Sequence, residues 1–205
     1  MRYVILLVPL IALLALGCED GGEQAPPTPT ATALATTAPT APAGRTGIPE
    51  LDAVIEFLLL DDTKAMQQTV RQLVGFTEIP CSATFRGMGG PPACQLNEEE
   101  GELVEVFDFG TCEGEYLRPH QIDRVLSVLA GKTLYAVYRA PPDYVFSGEY
   151  VAVVFQSFED SGDLAWEVEI SDGRIVGLHF SCAAPPEELV ELRQLEEALL
   201  PPPAP

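Results

Sequence analysis

The chain is poor in histidine and in basic side chains, and both shortages narrow the functions open to it. Its 205 residues include only two histidines, His120 and His179, so mechanisms in which a histidine activates a nucleophile have few places to operate. Lysine and arginine total 11 against 31 aspartates and glutamates, which gives a formal net charge of -20 at pH 7. A chain this acidic is poorly suited to bind nucleic acid or the surface of an anionic membrane directly.

Recognisable catalytic and metal-binding motifs are also missing. The sequence contains no G-x-S-x-G, P-loop, H-E-x-x-H or G-x-G-x-x-G arrangement. No two cysteines form C-x-x-C, the spacing typical of redox pairs and of many zinc sites. The segment EDSGD at 159–163 offers oxygen ligands without the spacing of an EF-hand, so a hairpin turn is favoured over calcium. We therefore predict neither a cofactor nor a metal.

The N-terminus has the pattern of an export signal. Arg2 precedes an apolar run over residues 3–16, too short to span a bilayer, and Gly17 precedes Cys18. The ending LALGC resembles the lipobox of bacterial lipoproteins, with Ala15 where that motif prefers leucine. The resemblance implies that residues 1–17 are a signal peptide and that Cys18 is lipidated. The protein would then be exported and anchored by this lipid to the outer face of the cytoplasmic membrane or to the cell surface, although an unlipidated secreted protein remains an alternative.

Composition divides the rest of the chain into three parts. Residues 18–47 are rich in Pro, Thr, Ala and Gly with almost no bulky apolar side chain, which predicts a flexible tether. Residues 48–200 are long enough for one domain with its own apolar core. Residues 201–205 form a Pro-rich tail.

The cysteines of this domain predict disulfides. Apart from Cys18, the sequence contains Cys81, Cys94, Cys112 and Cys182, an even number in a chain that we expect to be exported. In an oxidising compartment this indicates two disulfides, with three connectivities open. We favour Cys81 with Cys94 and Cys112 with Cys182, for which chain entropy alone suggests ~3 and ~4 kcal/mol of stabilisation.

Hydrophobic periodicity predicts helices first and strands afterwards. Apolar residues at helical spacing indicate one helix from Pro49 and a second after an acidic cap at residues 61–63. A strand at 103–110 and a third helix at 118–131 follow. From residue 133 the period changes to two, and four runs separated by turn signals predict an antiparallel meander, followed by a helix over 185–200.

This order of elements resembles the NTF2-like (cystatin-like, SnoaL-type) α+β cone. Two stretches carry the likeness locally, LLLDDTKAMQQTV at 58–70 and EISDGRIVGLHF at 169–180. The resemblance covers about residues 50 to 182 and implies a curved antiparallel sheet packed against the N-terminal helices. It also implies a cavity between them, in which some members of the family carry out isomerase, dehydratase or hydrolase chemistry. The loop that a Cys81–Cys94 disulfide would close and the predicted C-terminal helix depart from the family pattern.

Three residues are weak candidates for acid–base chemistry. Asp108 stands alone among apolar neighbours in VFDFG, and His179 or His120 would be the second proton carrier. No family motif assigns these roles, so we favour an outward-facing or turn-capping Asp108, a half-buried strand His179 and a His120 in the first turn of a helix. Strict alternation groups His179 with Ile175 and Gly177, and places Glu167 and Glu169 on a solvated face.

Three classes of function therefore remain open. We favour a lipid-anchored, non-enzymatic domain of the cell envelope that binds a small ligand or another envelope protein, with no role in nucleic-acid binding. The second hypothesis is a small-molecule enzyme that uses an NTF2-like cavity. The third is an assembly domain that dimerises through its sheet.

Overall fold

A computed structural model describes residues 44–84, 89–110, 112, 114–160 and 162–204. The predicted signal peptide, the lipidation site Cys18 and the tether as far as residue 43 lie outside the described residues. None of the described helices combines the length and the hydrophobicity that crossing a membrane requires.

Two helices open the domain, as the periodicity predicts. Helix α1 spans Pro49–Leu58, with proline in its first turn, where no intrahelical donor is needed. Helix α2 spans Thr63–Leu73. The side chain of Asp62 accepts a hydrogen bond of 2.9 Å from the Lys64 amide and so caps the start of α2, which confirms the predicted acidic cap.

The middle of the chain forms three strands and a short helix. Strand β1 spans Thr77–Pro80, β2 spans Leu103–Gly110 and β3 spans Glu115–Leu117. The predicted third helix is divided into a 3-10 turn at Pro119–Gln121 and helix α3 at Asp123–Leu129. The buried residues of α3 are Val125, Leu126 and Leu129.

The predicted antiparallel meander is confirmed. Strands β4 (Thr133–Arg139), β5 (Tyr150–Phe158), β6 (Gly162–Ser171) and β7 (Arg174–Phe180) pair in succession with antiparallel register. The sheet order is β1-β2-β7-β6-β5-β4-β8, with β3 paired to β2, and β2 runs parallel to β7. The described residues thus form an α+β fold with an eight-stranded open sheet and four α-helices.

The predicted C-terminal helix is shorter than expected. Helix α4 spans only Pro186–Leu192, and Gln194 adopts a left-handed φ of 54°. The chain then becomes strand β8 (Ala198–Leu200), which pairs with β4 at the edge of the sheet. Leu189 and Leu195 are buried, but Leu192 is 62% exposed. The prediction of a helix up to residue 200 was therefore wrong, because pairing with β4 satisfies the backbone of these last residues.

The two faces of the sheet are covered differently. On one face, helices α1, α2 and α3 pack over apolar strand residues and form the main core, whose buried members include Leu51, Val70, Val125, Phe107, Val154 and Leu178. On the opposite face, Leu189 and Leu195 pack on Tyr135, Val153 and Ala165 of the sheet. Buried apolar residues thus fill the core between the three helices and the sheet.

Two disulfides join parts of the chain that are separate in sequence. Cys81 is bonded to Cys94, with Cα atoms 4.9 Å apart, and Cys112 is bonded to Cys182, with Cα atoms 5.3 Å apart. These are the two pairs favoured from sequence. The second bridge ties the chain just after β2 to the chain just after β7, and so supports the parallel pairing of the two strands that carry Asp108 and His179.

Candidate functional site

A cluster of charged side chains is buried on the sheet face opposite helices α1–α3. Glu167 and Glu169 lie on β6 and His179 lies on β7, where Glu167 pairs with His179 and Glu169 with Gly177. Both glutamates have exposed fractions of 0%, and that of His179 is 6%. The prediction that the glutamates form a solvated face, and that His179 is only half-buried, was therefore wrong. The segment 140–149 and the residues after α4 cover this face.

Both carboxylate oxygens of Glu167 accept hydrogen bonds from neighbouring side chains. The Tyr144 hydroxyl donates a hydrogen bond of 2.6 Å to Oε2, and Arg193 Nε donates one of 2.8 Å to Oε1. Burial, followed by the proximity of Glu167, raises the pKa of Tyr144 well above its usual range, so its proton stays on the hydroxyl. These contacts fasten two covering segments to the sheet and give Glu167 a structural role.

Glu169, His179 and Asp108 form a cluster of three ionisable side chains, in which both carboxylates approach the same imidazole nitrogen. His179 Nε2 lies 3.0 Å from Glu169 Oε1 and 3.7 Å from Asp108 Oδ2. The contact with Glu169 lacks hydrogen-bond geometry and the contact with Asp108 is too long for a hydrogen bond, so Nε2 and Oε1 have no hydrogen-bond partner among the described residues. The other Glu169 oxygen accepts a hydrogen bond of 3.3 Å from the Ser147 amide. The contact between Glu169 and His179 is thus an ion pair when the imidazole is protonated, and both groups keep unsatisfied hydrogen-bonding capacity.

Two glycines make room for the side chains of His179 and Glu169. A Cβ atom on Gly110 would lie 2.0 Å from His179 Nδ1, and one on Gly177 would lie 2.6 Å from Glu169 Oε2. Both glycines occur inside or at the end of a strand, where glycine often marks the close approach of another group. The positions of Gly110 and Gly177 are therefore a sequence signal for the site that periodicity alone missed.

Phe146 covers the imidazole of His179. Its ring stacks on the imidazole of His179 with centroids 3.9 Å apart and planes 18° apart. The guanidinium of Arg193 lies 5.0 Å from the centre of the same Phe146 ring. The imidazole is thus held between an aromatic ring and the glycine backbone, which limits its contact with water.

The environment shifts the pKa values of His179 and Asp108. Burial disfavours the charged imidazole, but Glu169 and, more weakly, Asp108 and Glu167 outweigh it and raise the pKa of His179. Burial raises the pKa of Asp108, although the charge of His179 partly opposes this. The ionised form of Asp108 is therefore less favourable than that of an exposed aspartate.

These shifts predict that the protein becomes less stable as the pH rises. Because the folded-state pKa of His179 is raised, its stabilising contribution is complete below about pH 6.5 and is lost as the pH rises through the folded-state pKa. Asp108 titrates with the same sign from a lower starting value of 3.8. One proton limits the slope to ~1.4 kcal/mol per pH unit. Urea unfolding at several pH values between pH 6 and pH 9 measures this decline in the free energy of unfolding.

His179→Gln is the matched variant for this test, and His120→Gln is its control. We expect the former to flatten the decline between pH 6 and pH 9, because no imidazole remains to titrate beside Glu169. The latter should keep the decline, since His120 is exposed. An unchanged slope in His179→Gln would contradict the assignment.

Asp108 also faces an open pocket of about 510 Å³. The pocket lies where β1, β2, β3 and β7 meet the covering segment, and its wall includes Phe76, Ile79, Tyr116, Ser147, Asp172 and Arg174. The Asp108 side chain is 30% exposed, and Tyr116 is its partner on strand β3. No residue of the four α-helices lines this pocket. The pocket therefore lies apart from the space between helices and sheet in which we expected an NTF2-like cavity.

The structure separates the three sequence candidates. It brings Asp108 and His179 together, and the favoured interpretation of Asp108 as a simple outward-facing residue misses this contact. His120 lies exposed in the 3-10 turn and does not line the pocket, in accord with the helix-start interpretation. Among the described residues, no group of three or more His, Cys, Asp or Glu has the arrangement of a metal site.

Comparison of the chain with protein-family models, with curated proteins and with solved structures finds no match.

Proposed function

We propose that this protein is a lipid-anchored binding domain of the cell envelope, whose pocket binds a small ligand through a positively charged group. The observation that carries the proposal is the Asp108 carboxylate, which lines a pocket of about 510 Å³, a size typical of small-molecule sites. The alternative of a protein partner lacks a comparable feature in the described residues.

The chemistry around Asp108 favours a cation. Among the described residues its charged neighbour of opposite sign is His179, 3.7 Å away and shared with Glu169. Burial raises the pKa of Asp108, so an ammonium group beside it would relieve an unfavourable charge. Phe76 and Tyr116 line the same pocket, and aromatic faces attract ammonium ions. Carboxylate and aromatic rings together suit an alkylammonium or quaternary ammonium group.

Removing the charge of Asp108 is expected to weaken cation binding about tenfold or more, because a charge-assisted contact is lost. The variant is Asp108→Asn, which keeps the shape of the side chain. We would titrate the full chain with n-butylammonium and follow the backbone amide signals of Ser147 and Val176 by NMR, since both residues line the pocket.

Glu105→Gln is the matched control for this titration. It removes the same charge from the same strand, but Glu105 is exposed and does not line the pocket. Its affinity should stay near that of the unaltered chain. The proposal fails if n-butylammonium shows no saturable binding, or if both variants weaken it equally.

The anchoring part of the proposal is supported by the N-terminal sequence. The apolar segment, the small Gly17 before Cys18 and the Pro/Thr/Ala-rich stretch to residue 47 suit a lipoprotein with a spacer. The two disulfides suit an oxidising compartment outside the cytoplasm. The NTF2-like resemblance stays a proposal too. It is supported by two N-terminal helices followed by an antiparallel four-stranded run.

Replacing Cys18 by alanine is expected to release the protein from the membrane. Without the thiol no thioether-linked lipid can form, so metabolic labelling with a fatty acid should disappear and the protein should move to the soluble fraction. A Cys94→Ala variant is the control, because it removes a domain thiol and should leave lipid labelling intact. Undiminished labelling of Cys18→Ala would rule out this anchor.

A second candidate function is acid–base catalysis on a small molecule. It is favoured by one observation, the cluster of Asp108, His179 and Glu169, in which the carboxylate on the pocket and the buried carboxylate both approach His179 Nε2. Asp108 would be the base, and His179 would be a positioning residue. Conversion of any bound ligand by the unaltered chain, lost in Asp108→Asn, would favour this function over binding alone.

A further inference from the structure

The pocket contains one arginine as well as Asp108. Arg174 is the first residue of β7 and lines the same pocket. It is exposed, and none of the ion pairs among the described residues involves it. An unpaired guanidinium in a pocket has five donors available, in a planar arrangement that matches a carboxylate.

Sheet register separates Asp108 from Arg174 along the wall of the pocket, which also includes the carboxylate of Asp172. Asp108 is paired with Gly177 on the parallel neighbour β7, and Arg174 lies three residues before Gly177. At about 3.3 Å per strand residue, the Arg174 backbone lies roughly 10 Å along the sheet from the level of Asp108. A ligand that touches both side chains must therefore carry its two charged groups several bonds apart.

The overall charge of the protein makes a dipolar ligand more suitable than an anion. With a formal net charge of -20, the chain repels molecules whose only charged group is a carboxylate. A molecule with an ammonium at one end and a carboxylate at the other has no net charge and can satisfy Asp108 and Arg174 together. Apolar atoms between its ends would meet Phe76, Ile79 and Val176.

We propose that the pocket binds a dipolar small molecule, with its ammonium group at Asp108 and its carboxylate at Arg174, separated by an apolar spacer. This inference rests on the proposed binding function and specifies its ligand class. Ser147 and Ser171 also line the pocket, and a serine hydroxyl can both donate and accept a hydrogen bond.

A series of straight-chain ω-amino carboxylates tests the inference. The full chain is titrated with members of increasing length and, in parallel, with n-alkylamines of matching carbon number, which lack the carboxylate. We expect the affinity of the amino acids to pass through a maximum with length, where it exceeds that of the matching amine about tenfold.

The variants Arg174→Gln and Arg174→Lys separate this inference from the broader proposal. Arg174→Gln should abolish the advantage of the amino acids over the matching amines, and Arg174→Lys should keep part of it, because the charge remains but the planar arrangement is lost. Because Arg174 is exposed, both variants should unfold at the temperature of the unaltered chain. If each n-alkylamine binds as tightly as the amino acid of matching length, and Asp108→Asn weakens that binding, the inference is overturned and the proposed binding function remains. Absence of binding by both series would overturn both.

Discussion

Replacing Arg193 by methionine is expected to lower the free energy of unfolding by about 3 kcal/mol. Arg193 Nε contacts both oxygens of Glu167, at 2.8 and 3.0 Å, and the Glu167 side chain is 0% exposed. Removing one partner of a buried ion pair leaves an uncompensated charge, which typically costs about 3–5 kcal/mol. We expect the lower end because the Tyr144 hydroxyl still donates to Glu167. Urea unfolding at neutral pH measures the loss.

Arg139→Met is the matched control for this prediction. Arg139 also pairs through Nε with a glutamate, Glu197, at 3.0 Å, but both side chains are largely exposed, so its loss should cost no more than about 1 kcal/mol. The double variant Glu167→Leu with Arg193→Met should recover part of the stability, because two apolar side chains can replace a buried pair, while the Tyr144 hydroxyl loses its acceptor. Equal costs for Arg193→Met and Arg139→Met would show that Glu167 retains access to water.

The course of the chain was predictable where its signals are local. Strands β4 to β7 are rich in β-branched and aromatic residues and are separated by clear turn signals. Their number and order can therefore be predicted from short stretches of sequence. The end of the chain has no such local signal. Leucines after Leu192 keep helical spacing, yet residues 198–200 pair with β4, about sixty positions earlier. Spacing alone does not show that distant partner.

The faces of the strands were harder to predict because two irregularities interrupt the alternation. The register between β6 and β7 shifts between Glu169 and Ile170, so Ile175 packs in the helix-side core and His179 faces the other side. A similar shift in β4 follows Leu134. A single extra residue reverses every later side chain, so strict alternation wrongly grouped Ile175 with His179.

The candidate site was only half visible in the sequence. Asp108 is recognisable as an isolated polar residue in an apolar strand, and His179 as one of only two histidines in the sequence. Glu167 and Glu169 alternate with apolar residues just as a solvated face does, and only the covering segments that carry Phe146 and Arg193 make them buried. Their burial depends on tertiary contacts that no short window contains. Glycines in a strand are the local trace of such contacts.

Adding one methyl group at Gly110 is the sharpest test of this arrangement. In Gly110→Ala the new Cβ would lie 2.0 Å from His179 Nδ1 and 2.8 Å from Cγ, far inside contact distance. The imidazole has little room to move, because Phe146 stacks on it and a Cβ atom at Gly177 would lie only 3.1 Å from its Nε2. Overpacking of this kind typically costs about 1–3 kcal/mol, and displacing His179 would also leave Glu169 uncompensated. We therefore expect a loss of about 3 kcal/mol, measured by urea unfolding.

A second measurement in the His179→Ala background isolates the cause of that loss. With the ring absent, the methyl group meets empty space, and alanine in place of glycine restricts the unfolded chain, so Gly110→Ala should become neutral or stabilising by up to about 1 kcal/mol. The change of sign would show that the glycine is needed for the imidazole and not for its backbone conformation. A cost that persists without the ring would instead place the constraint in the strand itself, and the close packing of His179 would then have to be abandoned.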